Sequence, residues 1–94
     1  MTETASQNVI DLLRGSGPAH HQASMATDGN NPEWPLWYAD YLHKDLQRLL
    51  ERKFTKSELI YWLVRADKEY RQDGPNMDWP TYYAMRFSKH LGKD

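Results

Sequence analysis

Apolar residues recur at helical spacing along most of the chain. Tyr38, Leu42, Leu46 and Leu49, joined by Ala39 and Leu50, share one face of a stretch whose other face carries Asp40, Lys44, Gln47, Arg48 and Glu51. That alternation predicts an amphipathic helix over residues 35–52. Leu59, Leu63, Ala66 and Tyr70, flanked by Ile60, Trp62 and Val64, predict a second over residues 56–72. Tyr83, Phe87 and Leu91 predict a third over residues 80–91. Near the N-terminus Val9, Ile10, Leu12 and Leu13 form a shorter stripe that Gly15 stops, predicting a brief helix around residues 9–13. A helix of that length is marginal in water unless it docks.

The boundaries carry their own chemistry. Phe54-Thr55-Lys56-Ser57-Glu58-Leu59 places a Thr-x-x-Glu capping box and a Phe54 to Leu59 hydrophobic staple in front of the second predicted helix, with Thr55 as its cap. Gly74-Pro75 closes that helix and Gly92 the next. Residues 15–31 shift to Gly, Ser, Pro, Ala, His, Asp and Asn, which reads as a flexible connector. Pro18 there suits the first turn of one or two helical turns, and Asp28-Gly29-Asn30 suits a turn. The expected division is an N-terminal arm over residues 1–31 and a helical bundle over residues 32–94.

One motif occurs twice. Trp34-Pro35-Leu36-Trp37-Tyr38-Ala39 returns as Trp79-Pro80-Thr81-Tyr82-Tyr83-Ala84, each preceded by an acid (Glu33, Asp78), and in the same frame Lys44 and Leu46 fall on Lys89 and Leu91. Proline pre-sets a helical φ and biases the residue before it away from the α region, so each copy reads as a helix entrance. Each Trp can fold back onto the Tyr four residues on, a variant of the hydrophobic staple.

Composition narrows the function. The 94 residues suffice for one domain with a modest core. Without cysteine there is no disulfide framework, thiolate metal site or cysteine nucleophile, and a cytoplasmic location is expected. No apolar run is long enough to cross a bilayer, and the N-terminus lacks the pattern of a signal peptide. A net charge of −1 argues against a dedicated nucleic-acid binder. Lys44, Arg48, Arg52, Lys53 and Lys56 are interleaved with Asp45 and Glu51, as on a solvated face.

The candidate chemistry is aromatic. Rings make up 13% of the chain, and each buries roughly 150 to 250 Å². The candidate binding surface comprises Trp34, Trp37 and Tyr38 at one entrance, Trp79, Tyr82 and Tyr83 at the other, and Trp62 between them. The same rings also serve as staple and core. Adjacent histidines such as His20-His21 point apart on a helix, so no metal site is expected. No nucleophile elbow, phosphate loop, dinucleotide glycine pattern or paired-carboxylate spacing appears, so no catalytic residue and no cofactor are assigned. Asp67, between Val64 and Tyr70, is the acid placed for partial burial, with a Tyr or Arg across the bundle as its partner.

These observations predict an all-α fold: a small bundle of three principal helices plus a short, loosely attached N-terminal helix. The expected function is that of a non-catalytic binding or regulatory subunit that presents surplus surface aromatics to a protein partner or to its own copy. The alternative is a small-molecule or enzymatic site in an aromatic pocket between the two Trp-Pro entrances, which requires a concavity where they converge.

Overall fold

The computed structural model describes residues 2–25, 33–74 and 76–92. Among these the regular structure is four helices: α1 (Thr2–Met25), α2 (Trp34–Leu50), α3 (Lys56–Asp73) and α4 (Trp79–Leu91). None is long and apolar enough to cross a membrane.

The predicted faces of the last three helices turn inward. Ala39, Leu42, Leu46 and Leu50 of α2, Leu59, Leu63 and Ala66 of α3, and Tyr83, Phe87 and Leu91 of α4 are buried in one continuous core. The entry to α3 follows its capping box: the Glu58 amide donates to Thr55 Oγ1 at 3.0 Å and the Thr55 amide to Glu58 Oε1 at 3.0 Å. Phe54 and Leu59 are both buried there. Glu51 leaves α2 with φ 54°, and Gly74 leaves α3 with φ 53°, its amide donating to the Tyr70 carbonyl at 3.1 Å. Residues 51–55 and 74–78 are too few to span a helix length, so they turn the chain back on itself.

The N-terminal element departs from expectation. In place of a short helix and a connector, α1 continues through Gly15, Gly17 and Pro18, and the described residues form four helices where three principal ones were expected. Nor is its buried face loosely attached: α1 packs on both α2 and α4, and Val9, Leu13 and Ser16 are fully buried. Each helix thus has two principal neighbours, in the cyclic order α1, α2, α3, α4. Local propensity loses to packing here. Proline inside a helix costs about 3 kcal/mol, and each glycine adds somewhat under 1, which burial of this face must exceed. Gly17 also has a positive role: a Cβ built on it would lie 3.3 Å from the Trp79 indole, so the missing side chain lets α1 approach α4. Ser16, buried in the same stretch, donates from Oγ to the Leu13 carbonyl at 2.6 Å. The predicted turn at residues 28–30 and the arm boundary at residue 31 lie outside the described residues.

Candidate functional site

The two Trp-Pro motifs open α2 and α4 in closely matching fashion. Each Trp is the first helical residue, with its proline next. The Trp34 and Tyr38 rings meet edge to face at 5.9 Å and 82°, and Trp79 and Tyr83 repeat the arrangement at 5.4 Å and 75°. The copies also touch each other, because Tyr38 meets Trp79 at 6.4 Å and 82°. Rings at right angles make corners, and these corners wall a cavity of about 390 Å³.

All four helices contribute to it. Trp34 and Tyr38 of α2 face Trp79 and Tyr83 of α4. Leu13 and His20 come from α1, and Leu63, Asp67, Tyr70 and Arg71 from α3. The Tyr83 hydroxyl donates to Asp67 Oδ1 at 3.2 Å, so the acid finds its tyrosine across the bundle. Its arginine lies one turn along its own helix: Arg71 Nε sits 3.3 Å from Oδ1 and 3.2 Å from Oδ2. Burial pushes the Tyr83 phenol far above its usual range and the Asp67 charge adds to this, so the hydroxyl stays a donor. Burial likewise raises Tyr38, opposed by its hydrogen bond to Ser16.

The remaining candidates divide. Trp37 is outside the cavity, stacked on Tyr41 at 5.0 Å and 16° and edge-on to His20 at 4.9 Å. Tyr82 is buried, its hydroxyl donating to Asp73 at 3.3 Å and its ring leaning on Tyr70 at 5.3 Å. Trp62 belongs to a separate cluster, where the His90 imidazole lies flat on its indole at 3.9 Å and 8° and the Arg65 guanidinium sits 5.7 Å above it. Arg65 also donates to Glu69 at 3.1 Å, and Arg86 reaches Glu69 from α4. The basic face is broken by its own ion pairs, Lys56 to Asp40 at 2.9 Å and Arg48 to Asp45 at 3.6 Å.

His20, Tyr70 and Arg71 were not among the candidates. His20 lay in the supposed connector, and its ring packs between Trp37 and Tyr38, at 4.9 and 4.8 Å. Arg71, in the last turn of α3, was assigned no role, since the arginine expected for Asp67 was one across the bundle. His21, by contrast, is exposed, and no group of three His, Asp or Glu residues that could hold a metal occurs among the described residues. Compared with known proteins, the chain matches no family model, no curated protein and no solved structure.

Proposed function

We propose that this protein binds a small amphipathic molecule in the cavity between the two Trp-Pro entrances, without turning it over. The observation that carries this reading is the convergence of Trp34, Tyr38, Trp79 and Tyr83 on one 390 Å³ space that also holds the Asp67 and Arg71 side chains. Its volume falls at the small end of the roughly 300 to 1,000 Å³ usual for ligand pockets, and mostly aromatic walls with a few convergent polar groups are their common make-up. Binding is favoured over catalysis because the Tyr83 hydroxyl is held away from deprotonation and serves as a fixed donor to Asp67. The test is a two-dimensional NMR screen of small aromatic and aliphatic polar compounds against the full chain. Hits should shift the indole N–H signals of Trp34 and Trp79 together while leaving Trp62 in place. If no compound at millimolar concentration moves either indole, the cavity is a packing gap and the reading fails.

The second reading, contact with a protein partner or another copy, rests on apolar side chains that the fold leaves outside. Leu36 and Tyr41 are exposed on α2, next to Trp37, and Tyr61 and Val64 are exposed on α3. It ranks below the pocket because four of the seven candidate rings line the cavity and Tyr82 is buried, which leaves fewer rings to spare than composition suggested. Sedimentation at micromolar concentration checks the self-association form, which a strict monomer would exclude.

A further inference from the structure

Taking the pocket reading as its basis, we infer that the ligand is a small organic cation, an alkyl- or arylammonium, held by Asp67 and the ring walls around it. The faces of Trp and Tyr carry negative electrostatic potential and attract a cation within about 6 Å of the ring centre. Here the rings stand at 75° to 82° to one another, so they form walls rather than a stack. Among the described residues Asp67 is the sole carboxylate lining the cavity.

The two charges of the site are unequally placed. The Asp67 side chain is 27% exposed and that of Arg71 76% exposed, so the negative group is the inner one and the positive group the outer. Arg71 meets the carboxylate through Nε alone, shared between both oxygens, and not through the paired N–H fork that makes arginine–carboxylate contacts strong. At 3.2 to 3.3 Å these contacts also exceed the roughly 2.7 to 2.9 Å of a good charge-assisted hydrogen bond. An exposed ion pair of this kind contributes little to stability. A carboxylate has about four acceptor positions. Tyr83 and the shared Nε–H leave room for an ammonium N–H, whose carbon skeleton would then lie among the rings. Arg71 thereby becomes the internal competitor of the ligand. It neutralises Asp67 while the pocket is empty of cation and swings out to solvent when one enters.

This makes the two charged residues act in opposite directions. Phenylethylammonium and its uncharged analogue propylbenzene share one shape, anionic phenylpropionate keeps the same phenylethyl skeleton, and each can be titrated into the full chain while the Trp34 and Trp79 indole signals are followed. The cation should bind about tenfold tighter than the uncharged analogue, from the ring faces and the carboxylate together. Asp67→Asn should remove the carboxylate's share of that advantage and leave only the part due to the ring faces. Arg71→Gln should tighten cation binding several-fold, and, being a change at an exposed position, it should leave the fold intact even if Asp67→Asn does not fold. Equal affinity for the cation and propylbenzene overturns the cation assignment but leaves the pocket reading standing. So does tighter binding of phenylpropionate that Arg71→Gln abolishes. If none of the probes moves either indole, the pocket reading falls and the cation assignment falls with it.

Discussion

Trp79 is held from several sides. Its indole lies over the bare backbone at Gly17, meets Tyr83 at 5.4 Å within its own helix and Tyr38 at 6.4 Å across the pocket. Trp79→Ala should cost about 3 kcal/mol, the low end for deleting a large aromatic, because the ring is only partly buried. Trp34, which touches Tyr38, should cost less. Urea unfolding measures both, and an unchanged midpoint for Trp79→Ala would exclude the staple role. His90 makes a pH prediction. Burial pulls its pKa below the usual 6.5, with Arg86 and Lys89 acting in the same direction, and its Nε2 is buried without a hydrogen-bond partner among the described residues. The fold therefore holds His90 neutral. Its contribution is fully present above pH 6.5 and is lost as pH falls from there toward the depressed folded-state value, because the unfolded chain takes up the proton first. The urea midpoint should drop between pH 7 and pH 5, and His90→Gln should flatten that drop. An identical slope in the variant would assign the acid sensitivity elsewhere.

At the scale of elements, α1 offers a test with opposite signs two residues apart. A Cβ at Gly15 meets nothing within 4 Å, so Gly15→Ala should stabilise by about 0.5 to 1 kcal/mol, the helix-propensity difference. A Cβ at Gly17 already crowds the Trp79 indole at 3.3 Å, so Gly17→Val, with more bulk still, should destabilise by about 1 to 3 kcal/mol. Were residues 15–17 a loose connector, neither change would move the melting transition. The same stretch marks the limit of what the residues alone disclose. Helices α2, α3 and α4 were legible because periodicity agreed with boundary signals: a Trp-Pro entrance for α2 and α4, a capping box for α3, and a closing glycine for α3 and α4. Helix α1 was not, because Gly15, Gly17 and Pro18 are all local breakers, and what overrides them is contact with residues far along the chain. The site divides in the same way. The repeated motif announced the convergence of aromatic rings, and the spacing around Asp67 its partial burial. That Arg71 and His20 would complete the pocket depends on how the helices are arranged, which no local pattern encodes.

The whole molecule is a closed circuit in which each helix needs two neighbours to cover its apolar stripe. Two of the ion pairs that link different elements, Arg14 to Asp78 at 2.6 Å and Lys56 to Asp40 at 2.9 Å, are about half exposed or more and add little to that cohesion, whereas the pair between Arg86 and Glu69 is only about a quarter exposed. Cohesion is unevenly spread along α1. Among the residues whose burial is described, the buried ones, Val9, Leu13 and Ser16, precede Pro18, whereas the half-buried His20 lies beyond it. Proline brings no amide of its own and clashes with the carbonyl four residues back, so the ladder of α1 is interrupted between the part sunk in the core and the turn that carries His20. In hydrogen exchange the helix should therefore split into two cooperative units. Amides of residues 9–13 should exchange only on global unfolding, and those of residues 19–22 through a cheaper partial opening that leaves the core intact. Mass-resolved exchange at low denaturant distinguishes them: two protection levels that merge as urea is raised mark two units, and a single level throughout would mean that α1 opens as one.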